Sequence, residues 1–595
     1  MIRRFKYPFL FFTAKTRRRK TVSLVLFYFF LFNIVHAQNL EKIGEKDMFT
    51  MSGGLQYSSI FYHADGINSR RDPFNWFFNG NVTMNFLDVS LPFTYSYTNR
   101  KSSYTQPFNI QGVTPTYKWA KGYGGFTSMN FSPYTLSGHI FLGGGIELSP
   151  KHWKFSGMYG RLKKAVEYDA LTSSDAGISY KRMGYGGKIG YEKNSQGLAL
   201  TYFAAHDDAT SLLFIPPGAQ ISPMENAVVS LAGKTLLWKK LRLEAEYALS
   251  GLTQNTNPSD SLGEAVKNKL PVIFCARPNS QFFDAVKSSA GWQGKDYGIS
   301  LNYERIAPGY QTLGAYFFNN DLENITVAPN FFFWKGKLNL SANSGLQRNN
   351  LDGTKLNTTK RWVNSVNLSC QPSLKWNITA SYSNFSSFTR QLPQTDPFYQ
   401  VTLDTLNFYQ LTQQANFSSG YRFGKKEIPQ TLQFSGSYQV TGQFTGAVSD
   451  PGLFGSGING IVPVSVINGN LSYSISFSKS KTNFAVTANA NRSELPQGGN
   501  ILYTGPGIHF SKSILKNTLR VTAGSTYNLV LQNGNGTSSV MSNRAGFGWN
   551  PKMKNEKTGK ISLSLSAAYV QKFAASRSSS PFSEFTGNFG AGYSF

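Results

Sequence analysis

Charged side chains recur at alternate positions within several segments of this chain. Within residues 241–250, Arg242, Glu244 and Glu246 alternate with apolar residues. A period of two places these two sets on opposite faces of a β-strand. The charged residues predicted to lie opposite the apolar face are Arg182, Arg242, Glu244, Glu246, Arg361, Arg520 and Arg544. Such a face either lines a wet lumen that favours hydrated polar or anionic solutes, or bridges neighbouring strands through ion pairs.

A second group of polar residues lies in a predicted loop. In the sequence NNDLE at 319–323, four of the five side chains carry oxygen, which is the ligand type of a hard cation. The segment lacks the spaced ligands and central glycine of a calcium loop, so a hydrogen-bonded turn is the preferred interpretation. We therefore predict no metal ligand here. Asn319, Asn320 and Asp321, together with Tyr310 earlier in the same loop, are candidates for a loop surface.

No arrangement of side chains in the sequence predicts catalysis. The six histidines are scattered, and the Ser and His of 137–139 are too close in sequence to presume a nucleophile and its base. The three glycines at 143–145 lack the following helix that a dinucleotide-binding loop needs. Cys275 and Cys370 lack the neighbours of a metal or redox site. We predict no enzymatic activity and no cofactor.

Composition narrows the class of protein. The 595 residues include 59 Lys+Arg and 31 Asp+Glu, a net charge of +28 that taken alone would suggest nucleic acid. However, only 15% of residues are charged while 15% are aromatic, and glycine numbers 56. This composition argues against disorder, and two cysteines cannot form a disulfide scaffold. A glycine- and aromatic-rich β protein with no nucleic-acid partner is the prediction.

Connections between the alternating segments differ in length in a regular way. Short turns are predicted at 87–88, 149–152, 194–197, 239–240, 294–295, 335–336, 371–374, 424–430, 478–481, 512–517 and 551–559. Longer loops fall between many of them, at 205–224, 251–281, 306–322, 385–404 and 441–465. Short turns at one end and long loops at the other are typical of outer-membrane barrels, whose closure leaves no unpaired strand edge. The predicted fold class is all-β, a single large antiparallel transmembrane β-barrel of about 24 strands (range about 22–26).

The strand count requires one segment to leave the wall. If both termini are periplasmic, 117–131 cannot be a wall strand without placing turn 149–152 on the wrong side. We therefore predict a barrel over 53–595 with 99–136 as a loop or lumen insert. The predicted periplasmic segment 38–52 is too short for a plug domain, so any occlusion must come from the insert, the loops or another protein.

The N-terminus predicts export. Residues 1–20 hold eight basic residues and no acid, an apolar run follows at 22–35, and Val35-His36-Ala37 is a small-x-small cleavage pattern. These features predict a signal peptide over 1–37; the alternative is a membrane anchor, for which the run is short. At the other end, alternating aromatics that include Tyr593 and Phe595 resemble the signal that outer-membrane barrels present to their assembly machinery.

Two longer sequence segments resemble a known group of proteins. FSPYTLSGHIFLGGG at 131–145 and APGYQTLGAYFFNNDLENITV at 307–327 resemble segments of predicted outer-membrane barrel proteins of the Bacteroidota. The resemblance implies an integral outer-membrane location and supplies no activity. It also suggests 131–145 and 307–327 as places to look for a shared binding surface.

Three functions remain open from the sequence. The leading hypothesis is a channel or transport conduit for polar solutes or a partner protein. The alternative is a scaffold whose loops dock a surface protein or polysaccharide without transport, and the third is an outer-membrane hydrolase. Expected partners are outer-membrane lipid, the barrel-assembly machinery, and a surface or periplasmic protein.

The basic excess itself has a predicted location. Within or beside the eleven short turns lie 18 lysines and four acids, a surplus of 18 − 4 = +14. The lysines are Lys151, Lys193, Lys239, Lys240, Lys295, Lys335, Lys337, Lys375, Lys425, Lys426, Lys479, Lys481, Lys512, Lys516, Lys552, Lys554, Lys557 and Lys560. A basic rim of this kind would suit anionic phospholipid headgroups.

Overall fold

A computed structural model describes the strands of the chain and most of their connections. The described residues are 49–99, 110–168, 178–216, 219, 221–257, 267–316, 319–355, 358, 360–384, 409–444, 464–495, 499–552, 559–574 and 580–595. The predicted signal peptide (1–37) and most of the predicted periplasmic segment 38–52 lie outside them. Among the described residues, no helix is long and apolar enough to cross a membrane.

All the described strands belong to one antiparallel sheet. They are β1 (Phe49–Asp65), β2 (Phe74–Phe86), β3 (Val89–Thr98), β4 (Ile110–Val113), β5 (Thr116–Tyr117), β6 (Ala120–Asn130), β7 (Ser137–Leu148), β8 (Trp153–Lys163), β9 (Lys181–Lys193), β10 (Gln196–Asp208), β11 (Glu225–Leu237), β12 (Leu241–Thr253), β13 (Ser280–Gln293), β14 (Tyr297–Ile306), β15 (Leu322–Phe333), β16 (Leu338–Arg348), β17 (Lys360–Ser373), β18 (Trp376–Ser383), β19 (Tyr409–Lys425), β20 (Ile428–Phe444), β21 (Val464–Phe477), β22 (Thr482–Leu495), β23 (Gly499–Ile514), β24 (Leu519–Gln532), β25 (Asn535–Trp549), β26 (Lys560–Ala574) and β27 (Phe582–Ser594). With β4 and β5 counted together as one interrupted strand, each strand pairs with its neighbours in chain order.

The sheet closes into a barrel because the first strand pairs with the last. β1 and β27 are paired from Gly54–Ser594 to Asp65–Ser583. Beyond this ladder, the backbone N–H of Phe595 donates to Gly53 O at 3.0 Å. Tyr593 is exposed and its ring stacks on Phe595, with the ring centroids 5.5 Å apart. The role of Tyr593 and Phe595 as an assembly signal stays a prediction.

The prediction that 99–136 is a loop or lumen insert is wrong for 110–130, which belongs to the barrel wall. β4 and β5 both pair with β3 and β6, so they form the two halves of one interrupted strand. β6 then pairs with β7, which makes 120–130 a wall strand. The barrel is therefore closed with 26 strands, the upper end of the predicted range. The prediction missed the turn at Lys118 and Trp119. Because this turn adds a hairpin at the turn end, turn 149–152 falls on the correct side without removing a strand from the wall.

Alternation along each strand separates an apolar outer face from an inner face. In β12, Leu243 and Tyr247 face outward, whereas Glu244 and Ala248 face inward and Ala248 is fully buried. The outer face is a belt of exposed apolar and aromatic side chains, among them Tyr159, Leu200, Leu301, Trp362 and Ile508. Such a belt is the surface that lipid tails cover in a transmembrane barrel.

The two ends of the barrel differ as predicted. All eleven predicted short turns fall at the end that holds both described termini, together with the turn at 118–119. Several of these turns use non-glycine residues with positive φ, as at Asn194 (50°) and Ser195 (65°), which matches the twist of a tight hairpin. The predicted longer loops 205–224, 251–281 and 306–322 join strands at the opposite end, whereas 385–404 and most of 441–465 lie outside the described residues.

The turn end carries a girdle of tryptophan and a rim of lysine. Seven of the nine tryptophans lie in or next to its turns and are exposed: Trp119, Trp153, Trp238, Trp292, Trp334, Trp376 and Trp549. Of the predicted rim lysines, all but Lys554 and Lys557 are described, and each is exposed at this end. Tryptophan concentrates at the level of lipid headgroups, so the lysines stand where anionic headgroups would lie.

We predict that the double variant Lys239→Gln/Lys240→Gln binds less phosphatidylglycerol than the unchanged protein. Both lysines are exposed in the turn between β11 and β12, and Lys240 Nζ lies 6.0 Å from the centroid of the Trp292 ring. Each lysine near an anionic surface contributes about 1 kcal/mol. Native mass spectrometry of the detergent-solubilised protein would measure the bound lipid. The matched control is Lys267→Gln/Lys269→Gln at the loop end; an equal loss in both variants would contradict a lipid-binding rim.

Candidate functional site: the barrel lumen

Two loops fold into the barrel and pack against its inner wall. Residues 131–136 connect β6 to β7, and residues 307–316 begin the connection from β14 to β15. We call these two segments together the plug. Their apolar side chains are removed from solvent almost completely: Tyr134, Leu136, Tyr310 and Leu313 are each at most 1% exposed. The plug therefore belongs to the protein core, although both of its segments are connections between strands.

The two plug segments are joined directly by hydrogen bonds. Tyr310 Oη donates to Tyr134 O at 2.8 Å, and Thr312 Oγ1 donates to Thr135 O at 2.7 Å. The backbone N–H of Ser137 donates to Gly314 O at 3.0 Å. These contacts satisfy backbone carbonyls that would otherwise be buried without a partner, which costs about 1–3 kcal/mol per group. They also bring together the two sequence segments that carry the family resemblance.

Polar groups of the inner wall hold the plug in position. Tyr134 Oη donates to Glu304 Oε1 at 2.6 Å, and Lys188 Nζ donates to Phe131 O at 2.6 Å. Asn226 Oδ1 accepts the N–H of Leu313 at 3.1 Å, while Ser250 Oγ donates to the backbone carbonyl oxygen of residue 311 at 2.7 Å. These partners lie on four different strands, β9, β11, β12 and β14.

Apolar contacts complete the attachment of the plug. Phe131, Leu136 and Leu313 pack with inward-facing side chains of β6 to β10, and Tyr134 and Tyr310 pack with those of β11 to β15. The wall residues in these two clusters are Met129, Phe141, Met158, Leu162, Phe203, Ala205, Val228, Ala248, Ala285, Ile306 and Leu322. We call the inner wall from β6 to β15 the plug arc.

Burial keeps the plug tyrosines in their neutral form. Burial raises the pKa of Tyr134, and the negative charge and hydrogen bond of Glu304 raise it further. Burial likewise raises the pKa of Tyr310, with the carboxylates of Glu246 and Asp284 adding to the effect. A phenol of ordinary pKa is already a donor at neutral pH, and the raised pKa keeps both phenols in this form into alkaline solution.

The predicted loop-surface residues do not form an exposed surface. Tyr310 is fully buried and Asp321 is buried, while Asn319 and Asn320 are half-buried. Asn320 Nδ2 donates to Tyr310 O at 3.0 Å, and the N–H of Leu351 donates to Asp321 Oδ1 at 2.8 Å. The surface placement of Tyr310 and Asp321 was thus wrong, because a polar loop that enters a wide lumen gains wall partners that its composition does not reveal.

Each acid of the 319–323 segment has a cationic partner. Asp321 forms an ion pair with Lys355, and Glu323 forms one with Arg348. Burial raises the pKa of Asp321, but the contacts with Lys355 and the neighbouring N–H groups outweigh it and leave the pKa below its usual value. The segment is a hydrogen-bonded turn, as the sequence favoured.

The described side chains of the predicted lumen charges lie on the inner face, and they divide into two kinds. Arg182 and Asp207 form a buried two-pronged ion pair, with Nε to Oδ1 at 2.7 Å and Nη2 to Oδ2 at 2.9 Å. Arg242 Nε donates to Glu244 Oε1 at 2.7 Å, and Glu246 faces inward on the same strand. By contrast, Arg520 and Arg544 are exposed on the inner face, with no ion pair among the described residues. Arg361 lies in β17 opposite Gln347, but its side chain is outside the described part.

Sequence reasoning missed several charged residues of the plug arc. Glu192 accepts Lys154 Nζ at 2.5 Å and Lys234 Nζ at 2.6 Å, which joins β8, β9 and β11 across the lumen face. Lys188 and Glu304, which hold the plug, were also missed. The same period-two alternation that predicted Arg242 would have placed all five on the inner face, but their pairing requires the strand register.

Beyond the plug arc, most inner-face residues of β16 to β22 are neutral and polar, although Arg422 of β19 also faces inward, next to the turn end. From β16 to β22 the wall lines a cavity of about 640 Å³ whose walls are mainly asparagine, serine and threonine. Neighbouring strands are linked by these side chains, as where Asn416 Nδ2 donates to Ser381 Oγ and Asn468 Nδ2 to Ser437 Oγ, each at 3.1 Å. We call this part of the wall the neutral arc. Amide and hydroxyl groups of this kind interact with water or polar solutes through hydrogen bonds.

Comparison with known proteins gives no family for the chain. No family model matches it, and no curated protein matches it. Among solved structures, a mutant of the ferric enterobactin receptor PfeA from Pseudomonas aeruginosa is similar at 10% identity over 92% of this chain and 80% of that one, with a TM-score of 0.40. The FrpB iron transporter from Neisseria meningitidis has 9% identity over 91% and 82%, with a TM-score of 0.33. The P pilus usher PapC translocation pore has 10% identity over 91% and 98%, with a TM-score of 0.29.

Similarity at this level assigns neither a substrate nor a mechanism to the chain. The closed ladder of strands establishes the barrel by itself. The class of protein that the fold defines is a large transmembrane β-barrel whose lumen is partly filled by its own loops.

We predict that Gly314→Ala loosens the plug. A methyl group at Gly314 would lie 2.7 Å from Thr135 O and 2.7 Å from Phe203 Cε1, so the two plug segments must separate to accept it. Overpacking of this kind costs about 1–3 kcal/mol, which would raise hydrogen exchange governed by the opening equilibrium by about 5- to 160-fold. Exchange in peptides covering 131–140 and 307–316 would measure the effect.

The matched control for this substitution is Gly469→Ala. A methyl group at Gly469 meets no atom within 4 Å, so exchange in the plug should not change. Unchanged exchange in Gly314→Ala as well would show that the two segments are not packed as described.

Proposed function

We propose that this protein is an outer-membrane channel for polar solutes and that the plug restricts passage through its lumen. The observation that carries the proposal is the plug itself, which packs across one side of a lumen whose neutral arc is built for contact with water. A barrel of this width encloses more space than its wall side chains fill. The plug therefore occupies volume that would otherwise conduct.

The two ends of the barrel support a definite orientation. Short turns face the periplasm and longer loops face outward in barrels of the outer membrane. On this rule the tryptophan girdle and lysine rim lie at the periplasmic leaflet, and the plug enters from the outer side. The sequence features at 1–37 and the resemblance to Bacteroidota barrels fit the same location.

The plug is held by side-chain hydrogen bonds and apolar contacts, not by the backbone ladders that join the wall strands. Its hydrogen bonds to the wall and between its segments each contribute about 0.5–1.5 kcal/mol net, and its apolar contacts add to them. The wall strands are in turn joined to each other by continuous backbone ladders. A ligand that binds better when the plug is displaced can therefore shift the plug without unfolding the barrel.

We predict that shortening the plug increases conductance in planar lipid bilayers. The variant replaces 308–316 with a short Gly-Ser linker, which removes Tyr310 and Leu313 and leaves all wall strands intact. Unchanged protein should conduct weakly, whereas the variant should give severalfold larger single-channel currents. A deletion of 99–136, suggested by the sequence alone, would instead remove wall strands and is not an equivalent test.

A matched control removes the exposed residues 352–354 at the same end of the barrel. These residues lie outside the plug, and their removal keeps Leu351 and its contact with Asp321, so this control should conduct like the unchanged protein. Heat-dependent gel migration would show that each barrel is folded. If folded protein carries no current with or without the plug, the barrel is sealed and the proposed channel is contradicted.

A further inference from the structure

Three nitrogen-bearing side chains, His509, Arg520 and Arg544, face the lumen from β23, β24 and β25. In the strand register His509 is opposite Gly524, and Gly524 is opposite Arg544. These three positions form one row across the wall, in which only the two outer residues have side chains. Arg520 lies four residues before Gly524 on the same strand and therefore on the same face.

The glycine positions leave room around these groups. Adjacent strands are about 4.8 Å apart, so the backbones of His509 and Arg544 are separated by about 10 Å. A methyl group at Gly524 would come within 2.6 Å of His509 Nδ1, which shows that the imidazole leans over the glycine toward Arg544. Beside Arg520 lies Gly548, where a methyl group would meet no atom within 4 Å.

No acidic side chain of the strands that carry or flank the two arginines faces the lumen, and Glu584, which faces inward on β27, is paired with Arg70. β23, β24, β25 and β26 contain no aspartate or glutamate, and no inward-facing described residue of β16 to β22 is acidic. Both guanidinium groups are exposed to the lumen and have no ion pair among the described residues. Arg182 and Arg242 of the plug arc, in contrast, each contact a carboxylate. The positive charge of β24 and β25 is therefore available to a solute.

Hydroxyl groups complete the inner surface between the cationic rows. Ser511 is opposite Thr522, two residues from His509 and from Arg520 respectively, so both share the inner face. Guanidinium groups match the geometry of carboxylate and phosphate oxygens, and a serine hydroxyl such as that of Ser511 donates a further hydrogen bond to them. The hydroxyl of Thr522 donates to Gly546 O at 3.3 Å and would have to turn from it to contact an anion. We define the anion bay as His509, Ser511, Arg520, Thr522 and Arg544.

We infer that the anion bay binds small solutes carrying a carboxylate or phosphate group and makes the channel prefer anions over cations. The preference rests on the proposed channel function, whereas binding to the bay does not. The neutral arc next to it adds hydrogen-bonding groups without a competing negative charge. A polar anion can thus contact the bay and the neutral arc from one position in the lumen.

The selectivity test compares reversal potentials in a potassium chloride gradient across a planar bilayer. The plug-shortened protein should prefer chloride, and Arg520→Gln/Arg544→Gln in the same background should be severalfold less selective. Arg544→Glu should shift the preference toward potassium. The matched control, Lys516→Gln, removes a positive charge from the turn between β23 and β24 and should leave selectivity unchanged.

The binding test uses inorganic phosphate and detergent-solubilised protein in a calorimeter, and needs no conductance. The double arginine variant should bind phosphate at least about tenfold more weakly than unchanged protein, since two charge-assisted contacts are lost. Conductance without anion preference, or equal phosphate binding by both proteins, would overturn the anion bay and leave the channel in place. Absence of conductance with arginine-dependent phosphate binding would instead overturn the channel and support the bay.

Discussion

The structure depends on one constraint: backbone N–H and C=O groups facing lipid must find partners within the protein. Each group left unpaired in the hydrocarbon region costs several kcal/mol, so a sheet with free edges is not stable there. Pairing of β1 with β27 removes both edges at once. An even number of strands then returns the last strand to the side of the first, which is why the two described termini lie at the same end.

Closure with this many strands leaves a wide lumen that the wall side chains do not fill, so other residues or water must occupy it. The two sides of the wall differ in how they border this space. Along β6 to β15 the wall carries aromatic and aliphatic side chains that the plug covers, and its arginines Arg182 and Arg242 are paired with carboxylates. Along β16 to β26 the wall carries amides, hydroxyls and glycine, and the arginines of β24 and β25 have no acidic neighbour on the described inner faces. We expect solutes to pass through the part of the lumen that both parts of the wall border.

Local patterns in the sequence were sufficient for the fold class and for the direction of most strands. Alternation gave the inner face of Arg242 and Arg544, and turn composition gave the end to which the strands return. The turn at Lys118 and Trp119 was missed because the following strand is rich in glycine and shows little apolar alternation. The burial of Tyr310 could not be predicted, since its partner Tyr134 is 176 residues away in sequence. Ion pairs such as Lys154 with Glu192 depend on register, which alternation alone does not fix.

The central claim is that loops of the chain itself fill part of a closed lumen. Electron cryomicroscopy of the protein in lipid nanodiscs tests it most directly. The account predicts a closed barrel of 26 strands with density for 131–136 and 307–316 inside the lumen, against the wall from β6 to β15. A barrel in which these two segments extend outward, away from each other and from the wall, would contradict it.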